Sequence, residues 1–585
     1  MQYPTLPTWN NTRETVDVFK GYNHNPRIGD GEFFDMQNMS SDCFPLLAPR
    51  NKRGIFADNA NPQGLISKDS LCYVDGANFV INGYPVAMGL STAEADCPKQ
   101  LVSMGAYVII LPDKKWINTL DTTQFGNIEA TFTTSTDVTF ALSAATGDAY
   151  KDPFVSDTEP ENPENLSYWI DTSTTPHTLK QYSQTSAMWV NIATTYIKIS
   201  ATGIGRAFQE YDGVTLSGIV LEGLENLNAS TVIQAKGDDY IVVVGILDAV
   251  MVQGTAQGSV TVARTMPNMD FVIESENRLW GCRYGVAANG QVVNELYACK
   301  LGDFKNWNCF MGISTDSYAA SLGSDGQFTG AITHLGYPLF FKENCMHKVY
   351  GNFPANFQVQ TTTLRGVQKG CGQSLAIVNE VLYYKAQHAV CAYDGSLPVE
   401  ISAALGSERY SDAVAGAHGN KYYISMADGE GVYHLFVYDT TKRMWHREDN
   451  LQADSFCSCG EELYCIEHGA SHITTMLGSG TKDTRDVPWM AQTGIIGITM
   501  PDMKYISRLL IRMQLDIGTR VRLFAQYDSA GGWEPLGTIN GMNLRTFQLP
   551  VRPRRCDHMK LKIVGHGMGK VYSITKTTER GSDIS

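Results

Sequence analysis

A segment of about forty residues recurs along the second half of the chain. Its copies begin at Ile332, Leu375, Ala413 and Ser455, so that successive starts are 43, 38 and 42 residues apart. Each copy reads as three strand-like runs separated by tight turns, with aromatic residues in the middle run. The four-stranded blades of β-propellers recur at roughly 40 to 45 residues. The period therefore predicts a β-propeller.

Fainter copies of the same unit begin at Val272, Leu65 and Leu101. Together they give about seven candidate blades, and six or eight blades would fit the same spacing. We place the first blades in residues 55–120 and the remaining blades in residues 267–488. Radial closure lets each blade pack against two neighbours and leaves few free sheet edges.

Three segments fall outside the repeat. Residues 1–54 are interpreted as an amino-terminal arm used in assembly. Residues 121–266 are rich in Thr, Ser and Ala and carry alternating strands with Gly-Asp turns, which predicts an inserted β-sandwich or small barrel. Residues 489–585 read as strands separated by turns, which predicts a carboxyl-terminal β-sandwich. The whole chain is expected to be all-β.

The charge of the chain is unevenly distributed. Its 585 residues have a formal net charge of −14, which argues against a general nucleic-acid coat. The last eighty residues or so are nevertheless basic. Their cations include Lys504, Arg508, Arg512, Arg520, Arg522, Arg545, Arg552, Arg554, Arg555, Lys560, Lys562 and Lys570.

Targeting segments and disulfides are not expected. The amino end has no basic start followed by an apolar run, and no apolar run reaches the length of about 20 residues that spans a bilayer. The thirteen cysteines are odd in number and scattered. We therefore expect reduced thiols in a protein that matures in a reducing cytoplasm, with no membrane insertion of its own.

The stretch "VRPRRCDHMKLKIVGHG", from Val551 to Gly567, concentrates arginine, cysteine and histidine. A zinc site would use Cys556, His558 and His566, but the paired ligand spacing of structural zinc is missing. A nucleic-acid-binding site formed by Arg552, Arg554 and Arg555 is a minority interpretation. We favour a charged loop that enters an amphipathic strand.

That strand is predicted from alternation, because Met559, Leu561 and Ile563 face one way while Lys560 and Lys562 face the other. The glycine-rich "GHGMG", from Gly565 to Gly569, lacks the following helix and the Lys-Ser/Thr pair of a phosphate loop. We interpret it as a hairpin turn.

Catalytic motifs are absent from the sequence. It has no GxSxG elbow, HExxH helix or kinase set. A pair of glycosidase carboxylates stays open as an alternative, because the two residues need not be close in sequence, but nothing singles out such a pair. We therefore predict that the protein is not an enzyme, with no catalytic, cofactor or metal residues and no cofactor. Trp280 and Trp307 could serve as sugar platforms, but we favour a place in the blade cores, since large aromatic side chains are mostly buried.

Several stretches together resemble phage virion proteins of the packaged-DNA stabilisation or tail accessory type. The first runs from Phe19 to Gly54, and the others are "NRLWG" with "LYACKLGDFKNW" and the end from "RPRRCDHMK" to "ERGSD". The matching positions of the first stretch are Phe19, Gly21, Asp30-Gly31-Glu32, Met36, Asn38, Pro49-Arg50 and Arg53-Gly54. The inserted region is not covered by the resemblance.

The resemblance implies a structural protein of a short phage tail. Such a protein forms a ring below the portal, usually of six copies, which serves as nozzle or hub, retains the packaged genome and passes it during ejection. Its expected location is the virion tail, after assembly in the cytoplasm of the host bacterium. Its expected partners are further copies of itself, portal or adaptor proteins, tail fibres or spikes, and double-stranded DNA contacted without sequence preference.

A second observation favours assembly. Apolar residues of the amino-terminal segment (Phe19, Tyr22, Phe33, Phe34 and Phe44) lie outside any blade repeat and are expected to find a partner surface. The alternative function is a receptor- or glycan-binding propeller at the tail tip.

Overall fold

The computed structural model describes residues 12–59, 61–135, 137–247, 253–256, 259–287, 290–479, 481–482, 487–497, 503–551 and 554–580. Within these ranges the elements are β-strands apart from five short 3-10 turns, which confirms the all-β prediction. The turns are Glu94–Asp96, Glu225–Leu227, Pro354–Asn356, Gly372–Ser374 and Ala403–Leu405. The chain divides into two compact units: residues up to 99, 341–346 and from 362 onward, and residues 100–340 with 347–361.

Six short strands precede the first blade. They are β1 (Thr12–Val16), β2 (Gly21–Tyr22), β3 (Glu32–Gln37), β4 (Met39–Ser40), β5 (Ala48–Pro49) and β6 (Gly54–Asp58). Phe19, Tyr22 and Phe33 are only 3%, 4% and 1% exposed. The expectation that the aromatic residues of this segment await a partner is therefore wrong for these three, because they pack inside the first unit. Phe44 is 38% exposed.

Two blades follow, and each is a four-stranded antiparallel sheet. Their strands are β7 (Pro62–Ser67), β8 (Leu71–Asp75), β9 (Asn78–Ile81) and β10 (Tyr84–Ala87), then β11 (Gln100–Met104), β12 (Tyr107–Leu111), β13 (Lys115–Asn118) and β14 (Phe125–Asn127). The first of these sheets belongs to the first unit and the second to the second unit.

The inserted region forms its own sheets in the second unit. Its strands are β15 (Ala130–Thr133), β16 (Val138–Ser143), β17 (Phe154–Ser156), β18 (Tyr168–Asp171), β19 (Thr178–Ser183), β20 (Met188–Asn191), β21 (Tyr196–Ser200), β22 (Gly213–Ser217), β23 (Ser230–Gly237), β24 (Tyr240–Val244), β25 (Gln253–Ala256) and β26 (Thr261–Arg264). Strands β17 to β20 form a four-stranded sheet, and the other eight form one sheet.

A bulge in β23 turns the corner of the eight-stranded sheet. Residues before Ile233 pair with β22, and residues from Ile233 onward pair with β24, with the register shift between Ile233 and Ala235. Such a bulge bends the strand and strengthens its twist. The two halves enclose one apolar core that includes Phe140, Ile199 and Val262, each fully buried.

Five more blades follow the insertion. Their strands are β27 (Phe271–Ser275), β28 (Arg278–Val286), β29 (Val292–Ala298), β30 (Tyr318–Ser321), β31 (Gly330–His334), β32 (Tyr337–Phe341), β33 (Cys345–Tyr350), β34 (Gln358–Thr363), β35 (Ala376–Val378), β36 (Val381–Lys385), β37 (Val390–Tyr393), β38 (Val399–Glu400), β39 (Ser411–His418), β40 (Lys421–Ala427), β41 (Tyr433–Asp439), β42 (Met444–Arg447), β43 (Ala453–Cys459), β44 (Glu462–Glu467) and β45 (His472–Thr475). All seven sheets start within three residues of the predicted blade starts, and the β-propeller prediction is confirmed.

The last blade is completed by the amino-terminal segment. Strand β6 pairs antiparallel with β45, so that Gly54 lies opposite Thr475 and Asp58 opposite His472. This pairing covers an edge that three strands alone would leave open. Within the first unit, apolar side chains join adjacent blades: Leu435 and Val437 pack with Leu463 and Cys465.

The carboxyl-terminal region consists of long strands. They are β46 (Thr481–Lys482), β47 (Pro488–Thr493), β48 (Lys504–Tyr527), β49 (Glu534–Leu549), β50 (Arg555–Cys556), β51 (Met559–His566) and β52 (Gly569–Arg580). Strand β48 pairs with β49 along one side and with β52 and then β51 along the other. The sheet continues through β47, β3 and β2 to β42, which joins this region to a blade of the same unit.

The "GHGMG" stretch is not a hairpin turn, and that prediction is wrong. Strands β51 and β52 run in the same direction, both antiparallel to β48, so the stretch is a break within one line of strand. The break lies opposite residues 516–519, where β48 itself is interrupted. The physical reason is local: Gly567 has a φ of +89°, and a Cβ at Gly569 would lie 2.5 Å from a methyl carbon of Leu515.

Candidate functional site

One face of the carboxyl-terminal sheet collects most of the basic residues. Along β48, the exposed side chains of Arg508, Arg512, Arg520 and Arg522 alternate with buried positions such as Val521. Residues directly opposite each other on antiparallel strands share a face of the sheet. The strands paired with β48 add four more basic residues to this face. They are Lys570 (opposite Gln514), His566 (opposite Arg520), Lys562 (opposite Phe524) and Lys560 (opposite Gln526). We call this set the basic face.

The interruption of β48 preserves the alignment of the basic face. Exposed and buried residues alternate strictly from Arg508 to Leu515, and alternation resumes at Thr519. Because Thr519 comes four residues after Leu515, an even spacing, both halves of the strand keep their charged positions on the same side. Because the neighbouring strands advance only two to three residues opposite the interruption, the cations from Arg508 to Arg522 extend along roughly 40 Å of the sheet.

The cations of the basic face are not neutralised by carboxylates. Within the part of the chain that the structure describes, no ion pair involves Arg508, Arg512, Arg520, Arg522, Lys560, Lys562 or Lys570. Arg512 Nε instead donates a hydrogen bond to Thr546 Oγ1 at 3.0 Å. The segment 489–585 has fourteen Lys and Arg against seven Asp and Glu, whereas the whole chain has a net charge of −14.

Aromatic rings support the lysines at one end of the face. Lys562 Nζ lies 4.0 Å from the centroid of the Trp533 ring, and Lys560 Nζ lies 5.8 Å from that of Phe34. Burial lowers the pKa of Lys562, although the nearby Asp35 opposes this effect. The alternation predicted for this strand is confirmed, since Met559, Leu561 and Ile563 are fully buried.

The cysteine and histidines of the opening stretch are engaged separately. Cys556 is fully buried in β50, while the two ring nitrogens of His558 lie 2.8 Å from Asp557 Oδ2 and 2.8 Å from Ser529 Oγ. His566 belongs to the basic face. Among the described residues, no group of three His, Cys, Asp or Glu side chains is arranged to hold a metal ion.

The arginines of that stretch have different environments. Arg554 forms an exposed ion pair with Glu534, with 3.0 Å between Nη1 and Oε1. Arg555 is exposed in β50, and Arg552 lies outside the described residues. Lys504, from the same set of basic residues, is instead fully buried at the start of β48, and its ammonium group donates to the carbonyl of Asp557. Sequence order alone did not distinguish these roles.

A second set of residues joins the amino-terminal segment to the blade β39–β42. Arg50 Nε lies 3.4 Å from Glu448 Oε2, and Arg53 Nη2 lies 2.9 Å from the same oxygen. Both arginines also pair with Asp449, at 3.2 and 2.8 Å. Burial raises the pKa of the Asp449 carboxyl, but Arg53 and Arg50 outweigh it and hold that pKa below its usual value.

Asn38 completes this junction. Its backbone has a φ of 54°, its side-chain amide donates to the Pro488 carbonyl at 2.7 Å, and its side-chain oxygen accepts from Arg50 Nε at 2.8 Å. Gly21 is required nearby, because a Cβ there would lie 2.4 Å from the carbonyl oxygen of Trp445. The amino-terminal motif positions thus hold three parts of the first unit together.

The two tryptophans considered as sugar platforms are buried. Trp280 is 3% exposed and Trp307 is 2% exposed. The indole of Trp307 donates to the carbonyl of Phe304 at 2.9 Å. The interpretation of both residues as blade core is confirmed.

The cysteines are free thiols, and five of the thirteen are partly accessible: Cys43, Cys97, Cys345, Cys457 and Cys459. The other eight, including Cys556, are buried. Burial raises the pKa of the Cys299 and Cys457 thiols to about 12. No helix in the described ranges is long and apolar enough to cross a membrane.

Comparison with known proteins gives likeness in structure only. No protein-family model and no curated protein sequence matches the chain. Similar solved structures include an exo-β-1,3-galactanase from Phanerochaete chrysosporium with galactose, at 6% identity, covering 52% of this chain and 94% of that one, with a TM-score of 0.21. An arabinoxylan arabinofuranohydrolase from Bacillus subtilis has 9% identity, the same coverage and a TM-score of 0.18. A Trypanosoma rangeli sialidase mutant with trans-sialidase activity has 8% identity, covers 96% and 95%, and has a TM-score of 0.18.

These matches correct the prediction that the protein is not an enzyme. The solved structures named above are glycoside hydrolases and a sialidase, so an argument from fold and missing motifs does not exclude catalysis. The error had a physical source: the carboxylates of a glycosidase need not be close in sequence, so that no local motif reveals them. At these identities the likeness concerns the fold and assigns no catalytic residue to this chain.

Proposed function

We propose that the protein is a structural component of a bacteriophage tail. Several copies, six by the resemblance of its motifs, form a ring below the portal that retains the packaged genome and passes it during ejection. The observation that carries the proposal is the basic face, an extended row of unneutralised cations on a chain that is acidic elsewhere.

The basic face needs an anionic partner. Like charges that lie close together on a sheet destabilise it, and a bound surface of opposite charge relieves the repulsion. The remainder of the same chain is strongly acidic, so a neighbouring copy offers such a surface. A contact between two different surfaces of identical chains closes into a ring when the rotation between copies is a simple fraction of a turn.

The acidic remainder suits a conduit for DNA. A wall that is rich in cations would hold the phosphate backbone, whereas an acidic wall lets it slide. In this proposal the cations of the basic face pair with acidic groups of neighbouring copies and of portal or adaptor proteins. The contact with the double-stranded genome is then without sequence preference.

The motif positions that carry the resemblance also support a role in resisting mechanical force. Asn38, Arg50 and Arg53 connect the amino-terminal segment to β47 and to the blade β39–β42 through hydrogen bonds and ion pairs. A buried network of this kind resists separation of its parts, because removal of one partner leaves an unpaired charge. A ring that confines packaged DNA requires such resistance.

Electron cryo-microscopy of the virion tests the proposal. Reconstruction of the tail, with rotational symmetry imposed and then released, should show several copies of the chain around the DNA axis, each with its basic face against a neighbour. A single copy in each virion, or copies restricted to peripheral fibres, would contradict it.

A further inference from the structure

An open groove of about 510 Å³ lies within the second unit, between the inserted domain and the loop after Trp307. One wall comes from β23 and the end of β24, and includes Ser230, Gln234 and Val244. The opposite wall is the loop segment that includes Asn308 and Phe310. This volume is within the range of about 300–1,000 Å³ that is typical of ligand pockets.

The groove is lined by neutral polar and apolar side chains. No Asp, Glu, Lys or Arg is among the described residues that line it, although 18% of the chain is charged. Amide and hydroxyl groups come from Asn226, Ser230 and Gln234 on one side and from Asn308 on the other. Within the described ranges, the side chains of Gln234 and Asn308 form no hydrogen bond. Their donors and acceptors are therefore available to a ligand.

Exposed apolar side chains stand beside these amides. Phe310 is 55% exposed, Ile246 is 51% exposed and Val244 is 42% exposed. Large apolar side chains that are grouped and exposed around polar groups mark binding sites. An exposed phenyl ring presents a flat face, which suits the apolar face of a sugar ring.

The loop that carries Phe310 is rigidly held. The Asp316 carboxylate accepts hydrogen bonds from the backbone amides of Met311, Gly312 and Ile313, at 2.6, 2.6 and 3.1 Å. Phe310 is thus exposed by a fixed backbone. A preformed site loses less conformational entropy on binding than one that must order first.

The inserted domain fixes the same loop from its other end. Asn306 Nδ2 donates to Asp212 Oδ1 at 2.9 Å, and its side-chain oxygen accepts from the Gly213 amide at 2.9 Å. Asp212 in turn pairs with Arg264, with both side chains less than 8% exposed. A Cβ at Gly213 would lie 2.5 Å from the carbonyl oxygen of Asn308, so the strand and the loop touch directly.

We propose that this groove binds an uncharged oligosaccharide. A neutral glycan matches each property of the site: amides recognise hydroxyl groups with paired donors and acceptors, the phenyl ring stacks on a sugar face, and no lining charge is left without a counter-ion. Binding in the groove requires no catalytic group and adds a ligand site to the structural role proposed above.

The test uses the purified full-length chain on an array of bacterial surface glycans, both neutral and acidic, together with a set of unstructured peptides. We expect binding to one or more neutral glycans, and about tenfold weaker binding for F310A, which removes the stacking ring. The double variant N308A/Q234A should weaken binding to a similar degree. The matched control is F125A, which removes a phenyl ring that is 42% exposed on β14, outside the groove, and should bind as the original chain does.

Three results would overturn the proposal. They are the absence of binding to every neutral glycan on the array, binding that F310A leaves unchanged, and preferential binding of acidic glycans or peptides. Thermal unfolding of each variant shows whether it is folded, so that a loss of binding by a folded F310A variant can be assigned to the ring. The tail reconstruction is independent of this result, because ring position and glycan binding are measured separately.

Discussion

The indole of Trp489 occupies the space that a side chain at Gly565 would need. A Cβ at Gly565 would lie 2.1 Å from the Trp489 ring, and Trp489 Nε1 donates to the carbonyl of Gly567 at 2.8 Å. The ring is 2% exposed and therefore has no room to move outward. The glycines of this stretch thus serve packing within the sheet.

Substitution G565A should destabilise the carboxyl-terminal sheet by about 2 kcal/mol, because the added methyl group displaces the indole from a filled core. The measurement is the free energy of unfolding from denaturant titration, followed by tryptophan fluorescence. G537A is the matched control on β49, where the nearest atom to a Cβ would be 3.9 Å away. A loss of stability no larger than that of G537A would contradict the packing argument.

Substitution R53M should cost about 3 kcal/mol of unfolding free energy, because it leaves Glu448 and Asp449 with one buried cation fewer. The control R365A removes one partner of the exposed ion pair between Arg365 and Glu400, whose side chains are 65% and 43% exposed. It should lower the free energy of unfolding by about 0.5 kcal/mol or less. Equal effects of the two substitutions would show that the junction is not a buried network.

The stability of the blade β39–β42 should fall on acidification through His446. Burial lowers the pKa of this imidazole to about 3 in the folded chain, and the surrounding Lys421, Asp439, Asp42 and Lys442 partly offset one another. The unfolded chain binds a proton near the ordinary pKa of 6.5, so it holds more protons than the folded chain between pH 6.5 and 3. Stabilisation is therefore complete above pH 6.5 and declines below it, by up to about 1.4 kcal/mol per pH unit.

Unfolding titrations of H446Q across this pH range check that expectation. The variant should show a flatter dependence of stability on pH than the original chain. The control H388Q alters an exposed histidine and should leave the slope unchanged. An unaltered slope in H446Q would indicate that other groups cause the acid sensitivity.

Charge reversal on the basic face should block assembly without unfolding the chain. In R520E/R522E two exposed cations become anions, so the thermal midpoint should change little, while incorporation into virions should fall at least tenfold if the face meets an acidic neighbour. The control R27E/R409E reverses two exposed arginines elsewhere in the first unit. Equal incorporation of both double variants would remove the basic face from the assembly contact.

The sequence predicted periodic features well and long-range pairings poorly. Blade starts such as Leu101 and Val272 were found because strand alternation and turns are local. The alternation of Lys560 and Lys562 with buried neighbours was found for the same reason. The pairing of β6 with β45 was missed, because nothing in Gly54–Asp58 identifies a partner several hundred residues away.

The sequence predicted the basic face only in part. Its cations were visible as composition, but their alignment depends on the interruption between Leu515 and Thr519, which becomes apparent only from the register. The groove beside Phe310 was missed because its walls come from separate parts of the chain, and neutral amides give no charge pattern. "GHGMG" was misread because Gly565 is explained by Trp489, a contact between different strands.

The closure of the last blade by β6 imposes an order on biosynthesis. Gly54–Asp58 leaves the ribosome long before its partner strand His472–Thr475 has been translated. During that time the backbone N–H and C=O groups of Gly54–Asp58 lack the strand with which they pair in the folded protein. Such distant pairings slow folding, and an unpaired strand is a site for aggregation in the meantime. The nascent chain thus passes through a vulnerable interval that ends when the last blade emerges.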